Sequence, residues 1–207
     1  MTELHPGWPI ILTAGPVTLR PPRWRDAREW SRIRLANATW LAQWEPTSTR
    51  SWTDRNSVRE YHRSLSRLRS AARMGAALPF NVFYGEHLAG HVAASNVTRG
   101  AERSATLGYW IDAAAAGRSI IPTAVALVAD HCLTAVHLHR VEINIRPENA
   151  ASLRVVEKLG LRREGYHERL LDIGGGWRDH ISFAVTVEDL GGRTLLSRLA
   201  ALPVPPG

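Results

Sequence analysis

One cysteine, Cys132, and one lysine, Lys158, are all that 207 residues contain of either type. A lone cysteine excludes an internal disulfide framework, and with no Cys/His ligand set a structural zinc site has no support. There is no run of about 18 apolar residues, so no membrane-spanning helix and no membrane partner are expected. Met1 to Ile11 has neither a basic segment nor a long apolar stretch, so it does not read as a secretory leader. No internal repeat is present. The simplest compartment for such a chain is the cytoplasm.

The scarcity of lysine also shapes the charge. Lys and Arg total 26 against 19 acidic residues, and the net +7 is almost entirely arginine. Such a balance suits an acidic partner. Arginine in place of lysine, with abundant alanine, is equally what a GC-rich genome writes, so charge alone names no partner. Hydrophobic residues make up 44%, enough for a real core. The length suits one domain over 16–190, with an N-terminal arm at 1–15 and a C-terminal tail at 191–207. The arm is expected to be mobile or loosely docked, and Pro203 to Gly207 reads as disordered.

What is present is organised around Leu107 to Gly160. Leu107–Ile111 is a short apolar and aromatic run that suits a buried strand. Gly117-Arg118-Ser119 then precede apolar residues at Ile121, Val125, Val128 and Cys132, which is helical spacing. Arg140–Arg146 alternates, with Val141, Ile143 and Ile145 on one face and Glu142, Asn144 and Arg146 on the other. Pro147-Glu148-Asn149 turns into a short helix through Leu153, Val156 and Leu159, ended by Gly160. A glycine turn at a helix start lets backbone approach a ligand, and the N–H groups of Arg118, Ser119 and Ile120 form an anion site there that suits a pyrophosphate.

The rest of the chain surrounds this stretch. Val17–Arg20 is a short strand halted by Pro21-Pro22, and Trp24–Asn37 reads as a helix. Thr53–Met74 is the clearest amphipathic helix, with Thr53 as its cap and a stripe of Val58, Tyr61, Leu65, Leu68 and Ala72. Arg55, Arg59, Arg63 and Arg67 run along another flank, a ridge for RNA, a ribosome or an acidic substrate, or simply a solvated face. Phe80–Tyr84 and Leu88–Val97 read as a hairpin. Arg103–Ile111 follows as a strand. Leu161–Ile173 and Trp177–Val187 are two more strands about Gly174–Gly176, and Leu190–Leu202 is a short helix. Six of the eight tryptophans lie at or before residue 52. Trp40, Trp44 and Trp52 flank a loop with Glu45 and Pro46, which suits either a recognition surface or the packing of a loop-rich lobe.

The turn at Ala114–Ser119, Asn149 and Ser152 in N-x-x-S spacing, the run Glu157-Lys-Leu-Gly-Leu-Arg-Arg-Glu-Gly165 and Trp177-Arg-Asp-His180 together resemble the GNAT superfamily of acyl-CoA-dependent N-acetyltransferases. The likeness is strongest to ribosomal-protein-alanine acetyltransferases of the RimJ/RimL type and spans about Val17 to Asp189. It implies an α/β (α+β) GNAT fold: a mixed, mostly antiparallel sheet of about seven strands, splayed centrally and flanked by helices. It implies acetyl-CoA as cosubstrate and no metal. The cofactor would be held by Tyr109, Trp110, Ile111, Gly117, Arg118, Ser119, Ile120, Ile121, Asn149 and Ser152. Ser152 would protonate the departing thiolate; for the proton of the attacking amine the candidate is Glu142, the carboxylate on the polar face of the Arg140–Arg146 strand. Trp44 and Glu45 would meet the acceptor, a protein N-terminus such as the alanine of a ribosomal protein.

Asn144 stands where a related N-terminal acetyltransferase type carries a strand glutamate five residues before the Asn, and two positions of the cofactor loop also depart from the family pattern. Ala114 stands where Gln or Arg is common, which removes a phosphate contact. Ser119 stands where Gly or Ala is common, and its Cβ restricts the turn. Histidines 131, 137, 139 and 180 show no catalytic spacing and read as surface or core residues. A small amine remains open as the acceptor in place of a peptide. So does a ribosome-binding assembly factor without catalysis, and both monomer and homodimer stay open.

Overall fold

The computed structural model describes residues 7–201. Strands β1 (Leu12–Ala14), β2 (Val17–Arg20), β3 (Leu78–Tyr84), β4 (His87–Thr98), β5 (Ser104–Ile111), β6 (Arg140–Ile145), β7 (Arg162–Asp172) and β8 (Trp177–Thr186) build one sheet. Their order is β1-β2-β3-β4-β5-β6-β8-β7. Only β5 and β6 run parallel; every other neighbouring pair is antiparallel. The helices are α1 (Ala27–Ala36), α2 (Ala38–Leu41), α3 (Trp52–Arg55), α4 (Val58–Arg73), α5 (Ile120–Thr134), α6 (Ala150–Leu159), α7 (Val187–Leu190) and α8 (Leu195–Ala200).

Alternation along the central strands divides two layers. Phe80, Val92, Ala94 and Leu107 are buried in one large core with Val125, Val128 and Cys132 of α5 and with Val156 and Leu159 of α6. Helix α5 is apolar nearly all round, as a helix must be when it is covered by a sheet on one side and helices on the other. Full burial of each Leu, Val or Phe contributes ~1.5–3 kcal/mol, so this layer supplies most of the driving force for folding. The opposite face is thinner. There Ala27, Tyr61 and Leu65 form one cluster, and Ile33, Phe83 and Leu88 another, under α1 and α4.

That second face carries a polar row. Register places Arg20 beside Asn81, Asn81 beside His91 and His91 beside Trp110 across four neighbouring strands. Directly opposed residues of antiparallel strands share a face, so these side chains lie side by side.

The sheet parts in the middle. β5 and β6 pair only from Ser104↔Arg140 to Thr106↔Glu142. Beyond Thr106, residues Leu107–Ile111 keep their ladder with β4 but have none with β6. The expected central splay is therefore a gap between the C-terminal halves of two parallel strands.

The mixed, mostly antiparallel sheet is the one expected, and Leu12–Ala14, paired with β2, brings it to eight strands. The stretch expected as a loose arm over 1–15 is thus docked from Gly7 onward. The His131 Nε2–H donates to the Gly7 carbonyl (2.7 Å), and the Trp8 indole donates to the Pro79 carbonyl (3.2 Å). The stretch expected as a tail over 191–207 is also packed as far as it is described. Leu195 is fully buried, and Asp130 accepts the Leu195 and Leu196 N–H groups at 2.7 and 3.0 Å. The disorder expected for Pro203–Gly207 lies outside the described residues.

The helix expected over Thr53–Met74 is two helices. Ser51, not Thr53, caps α3, and Ser57 caps α4 through the Glu60 N–H. The chain leaves helical geometry at Asn56, whose side chain accepts from Arg34 Nε (2.8 Å) and whose carbonyl accepts from Ser31 (2.6 Å). Buried polar bonds there outweigh continued helix. The arginine ridge is broken with it. Arg55 lies on α3 beside Glu45, while Arg63 and Arg67 both bind Glu60.

Candidate active site

Where β5 and β6 part, a cleft of about 790 Å³ opens. One wall is the free edge of β5, Gly108–Ile111. A second is the turn and helix start at Ala116–Ile121. The third is the N-terminal half of α6, and the fourth is the loop bearing Trp40, Trp44 and Glu45. A smaller cavity of about 190 Å³ lies on the α1/α4 face and shares Glu45, His91 and Trp110 with the cleft. The two cavities therefore share a border at these three residues.

The turn has a geometry that suits an anion. Gly117 has φ +84°, a conformation that L side chains rarely adopt. Ser119 follows at φ +55°, left-handed, so its Cβ is a strain that the sequence anticipates. Among the described residues, the backbone N–H groups of Arg118, Ser119 and Ile120 have no carbonyl acceptor. They stand at the N-terminus of the 15-residue α5, where the helix dipole favours negative charge. Lys158 Nζ reaches Ser119 Oγ at 3.4 Å, and Arg154 and Lys158 both border the cleft. Ala114 lacks a phosphate-binding side chain, and the single lysine of the protein brings a cation to the same turn from α6.

At the inner end of this half, Tyr109 and Ser152 meet. Their hydroxyls are 2.5 Å apart. Burial pushes the Tyr109 phenol up to about 12, with the Ser152 hydrogen bond partly opposing it, so the phenol keeps its proton at neutral pH. Ser152 is the third residue of α6, and its N–H donates to the Asn149 side-chain oxygen (3.1 Å). Asn149 is thereby a helix cap, and its NH2 is the end available to a ligand.

On the other side, the polar row fixes a tautomer. Asn81 Nδ2 donates to Asp26 Oδ2 (2.9 Å) and to the Tyr61 hydroxyl (3.3 Å), which itself donates to the Arg23 carbonyl. The amide oxygen is therefore the atom that faces His91 Nδ1, at 3.1 Å. An amide oxygen only accepts, so Nδ1 carries the hydrogen and Nε2 carries the lone pair. Among the described residues Nε2 has no hydrogen-bond partner, and it is not a sealed atom, since no buried side-chain nitrogen or oxygen there lacks one. Burial, then the charge of Arg34, lowers the imidazole to about 4, so the ring is neutral near pH 7. Asp26 anchors the row. Burial alone would raise its carboxyl, but hydrogen bonds from Arg20 and the Arg23 N–H outweigh this and hold it below the ordinary range.

Most of the residues expected at the site border the cleft: Trp44, Glu45, Tyr109, Trp110, Ile111, Gly117, Ser119, Ile120, Ile121, Asn149 and Ser152. Arg118 does not; its guanidinium lies over the Tyr84 ring at 6.0 Å. Glu142 does not either. It sits where β5 and β6 are still paired, and Arg140 Nε donates to it at 2.6 Å while the same guanidinium binds Glu164. A carboxylate so engaged, at the closed end of the splay, is structural. Glu45 lines both cavities but is bound by Arg34 (2.6 Å) and Arg55 (3.5 Å), so it is not a free counter-charge for an amine. Trp52 packs against the Arg34 guanidinium instead of the cleft, while Trp40 closes the mouth by donating to the Ile111 carbonyl (3.1 Å).

Sequence reasoning missed His91, Lys158 and Arg34. The uniqueness of Lys158 was a usable signal. Nothing in the local sequence around His91 or Arg34 distinguishes either residue. Cys132 is fully buried with its thiol pushed up to about 12 by burial, which removes it as a nucleophile. Among the described residues no cluster of His, Cys, Asp or Glu could hold a metal, and no helix is long and apolar enough to cross a membrane.

A splayed sheet, an anion-binding turn at one end of the gap and a hydroxyl pair at the other define an acyl-CoA-dependent transferase. The family comparison agrees: the chain belongs to the acetyltransferase (GNAT) domain family, whose model matches residues 17–162. It is thus an acyltransferase that uses acetyl-CoA. Among solved structures, Mycobacterium smegmatis RimJ in complex with CoA-disulfide is 43% identical, with a TM-score of 0.92 over 95% of this chain and 96% of that one. The [ribosomal protein uS5]-alanine N-acetyltransferase of Escherichia coli is 29% identical over 87% of this chain and 92% of that protein. The probable N-acetyltransferase YjcK of Bacillus subtilis is 38% identical over 104 residues, which span 50% of this chain and 58% of that relative.

Proposed function

We propose that this protein is a cytoplasmic N-α-acetyltransferase that acetylates the N-terminal alanine of a ribosomal protein. The observation that carries this reading is the likeness to the M. smegmatis RimJ structure along nearly the whole chain, including the lobe around Trp40, Trp44 and α4 that borders the acceptor side. The E. coli relative, named for alanine acetylation of a ribosomal protein, supports the acceptor class. Acetyl-CoA supplies an activated thioester. Residues Gly117–Ile121, with Lys158, hold its phosphates, and the free edge of β5 aligns its arm beside Asn149. The acceptor comes through the smaller cavity from the α1/α4 face. Ser152, hydrogen-bonded to Tyr109, gives its proton to the departing thiolate, and the N-terminus of α6 stabilises negative charge there.

The test is incubation with acetyl-CoA and peptides that start with Ala or Ser, followed by thiol release and mass shift at the N-terminus. Turnover of an Ala peptide is expected. Thiol release with spermidine or an amino acid, and with no peptide, overturns the peptide acceptor and leaves a small-amine acetyltransferase.

A further inference from the structure

We propose that His91 is the proton acceptor of the reaction, held by Asn81 as the Nδ1–H tautomer with its Nε2 lone pair at the border that the acceptor cavity shares with the cleft. The inference rests on the acetyl transfer assigned above and deepens it by naming the group that handles the amine proton. Three observations carry it. His91 borders both cavities, and of the residues they share only it is a neutral base, since Glu45 is bound by two arginines and Trp110 has no basic atom. The chain of Asp26, Asn81 and His91 leaves one possible tautomer, because each hydrogen bond along it has a forced direction. The carboxylate expected to play this part, Glu142, is engaged by Arg140 at the closed end of the splay.

The chemistry balances without a covalent enzyme. The neutral amine nitrogen forms a bond to the thioester carbonyl carbon. As it does so its N–H becomes acidic, and the proton passes to His91 Nε2. The carbon–sulfur bond breaks, the thiolate takes a proton from Ser152, Ser152 takes one from Tyr109, and Tyr109 regains one from solvent, which balances the proton that His91 gives up. His91 then returns its proton to solvent. An imidazole that stays neutral near pH 7 is always in the accepting form. An α-amine with a pKa of about 8 is already partly neutral at that pH, so a modest acceptor suffices.

Asn81 is a positioning residue in this scheme. It touches no reacting atom, and it acts by fixing which imidazole nitrogen is bare.

The experiment compares wild type, His91→Ala and His91→Gln with acetyl-CoA and an Ala-starting peptide, and with spermidine as the small-amine probe. CoA affinity by calorimetry and the melting temperature report the integrity of the fold and of the cofactor half. Expected is unchanged CoA affinity with kcat lower by roughly 10²-fold or more, the usual range for a lost general base, and partial rescue of His91→Ala by added imidazole. Independently, nitrogen-15 NMR of the wild-type protein should show His91 protonated at Nδ1 and bare at Nε2. Retention of kcat in both variants, or a proton on Nε2, overturns the proposal. If wild type acetylates spermidine only, the peptide acceptor fails while the same comparison on spermidine still decides His91. If wild type acetylates neither, both readings fall.

Discussion

Gly90 lies in β4 against β5 and Gly108 lies within β5, and replacing each by alanine separates fold from site. Gly90 lies in β4 opposite Ile111. A Cβ there would stand 2.3 Å from the Trp110 carbonyl oxygen and 3.2 Å from Ile111 Cα. Both are backbone atoms of the strand that borders the cleft, so neither can rotate away. Overpacking of this kind costs ~1–3 kcal/mol, occasionally more. Against it, alanine restricts the unfolded chain and returns ~0.4–1 kcal/mol.

The net loss for Gly90→Ala is ~1.3 kcal/mol, and at roughly 2–4 °C per kcal/mol for a chain of this size the melting temperature should fall by roughly 3–5 °C. The displaced residues line the cofactor cleft, so CoA affinity should fall too. At Gly108 an added Cβ meets nothing within 4 Å, yet this residue borders the cleft. Gly108→Ala should leave the melting temperature unchanged or slightly raised and weaken CoA all the same, because the methyl occupies ligand space. Scanning calorimetry and CoA titration on the two variants are the assays. A Gly90→Ala protein as stable as wild type would refute the close-approach argument. A Gly108→Ala protein with full CoA affinity would refute the placement of the cofactor along β5.

Three further outcomes follow from the same geometry. Ser152→Ala should lower kcat by roughly 10²-fold or more if it protonates the leaving group, with CoA affinity nearly unchanged by calorimetry; Tyr109→Phe should have a smaller effect in the same assay. Arg34→Ala breaks a buried pair with Glu45 and a bond to Asn56 and should cost ~3–5 kcal/mol by urea denaturation. Arg34→Lys should recover only part of this, since an ammonium cannot reach both partners while stacking on Trp52 and Trp110. Glu164 is lowered to about 2, chiefly by its hydrogen bond from Arg140, with burial opposing and Arg162 adding to the effect. Its contribution is therefore complete above the unfolded carboxyl value and is lost as pH falls through the folded one. The melting-temperature gap between wild type and Glu164→Gln should be constant near neutrality and close between about pH 4.5 and pH 2.

Local pattern carried a good deal of this molecule. Alternation in Arg140–Ile145, the Gly117 turn and the apolar spacing from Ile121 to Cys132 each report a backbone preference that is settled within a few residues. The same holds for the turn at Pro147–Asn149 and the short helix after it, which places Ser152 on the first turn of α6. Even the strain at Ser119 was visible, because it depends on one Cβ and one turn.

The acceptor half was not legible, and the reason is physical. His91 draws its character from Asn81, Asp26, Arg34 and Trp110, which come from β3, the turn before α1, α1 itself and β5. Glu142 and Glu45 looked usable in the sequence because a carboxylate has no partner there; strand register gives one to Arg140, and packing gives the other to Arg34 and Arg55. The sequence by itself determined most of the elements, the glycine turn before α5 and the hydroxyl at the start of α6, but not β1 or the break at Asn56. Only the tertiary structure decided which charges are engaged, which nitrogen of which histidine is bare, and that two cavities share a border at His91, because each of these depends on distances between residues far apart along the chain.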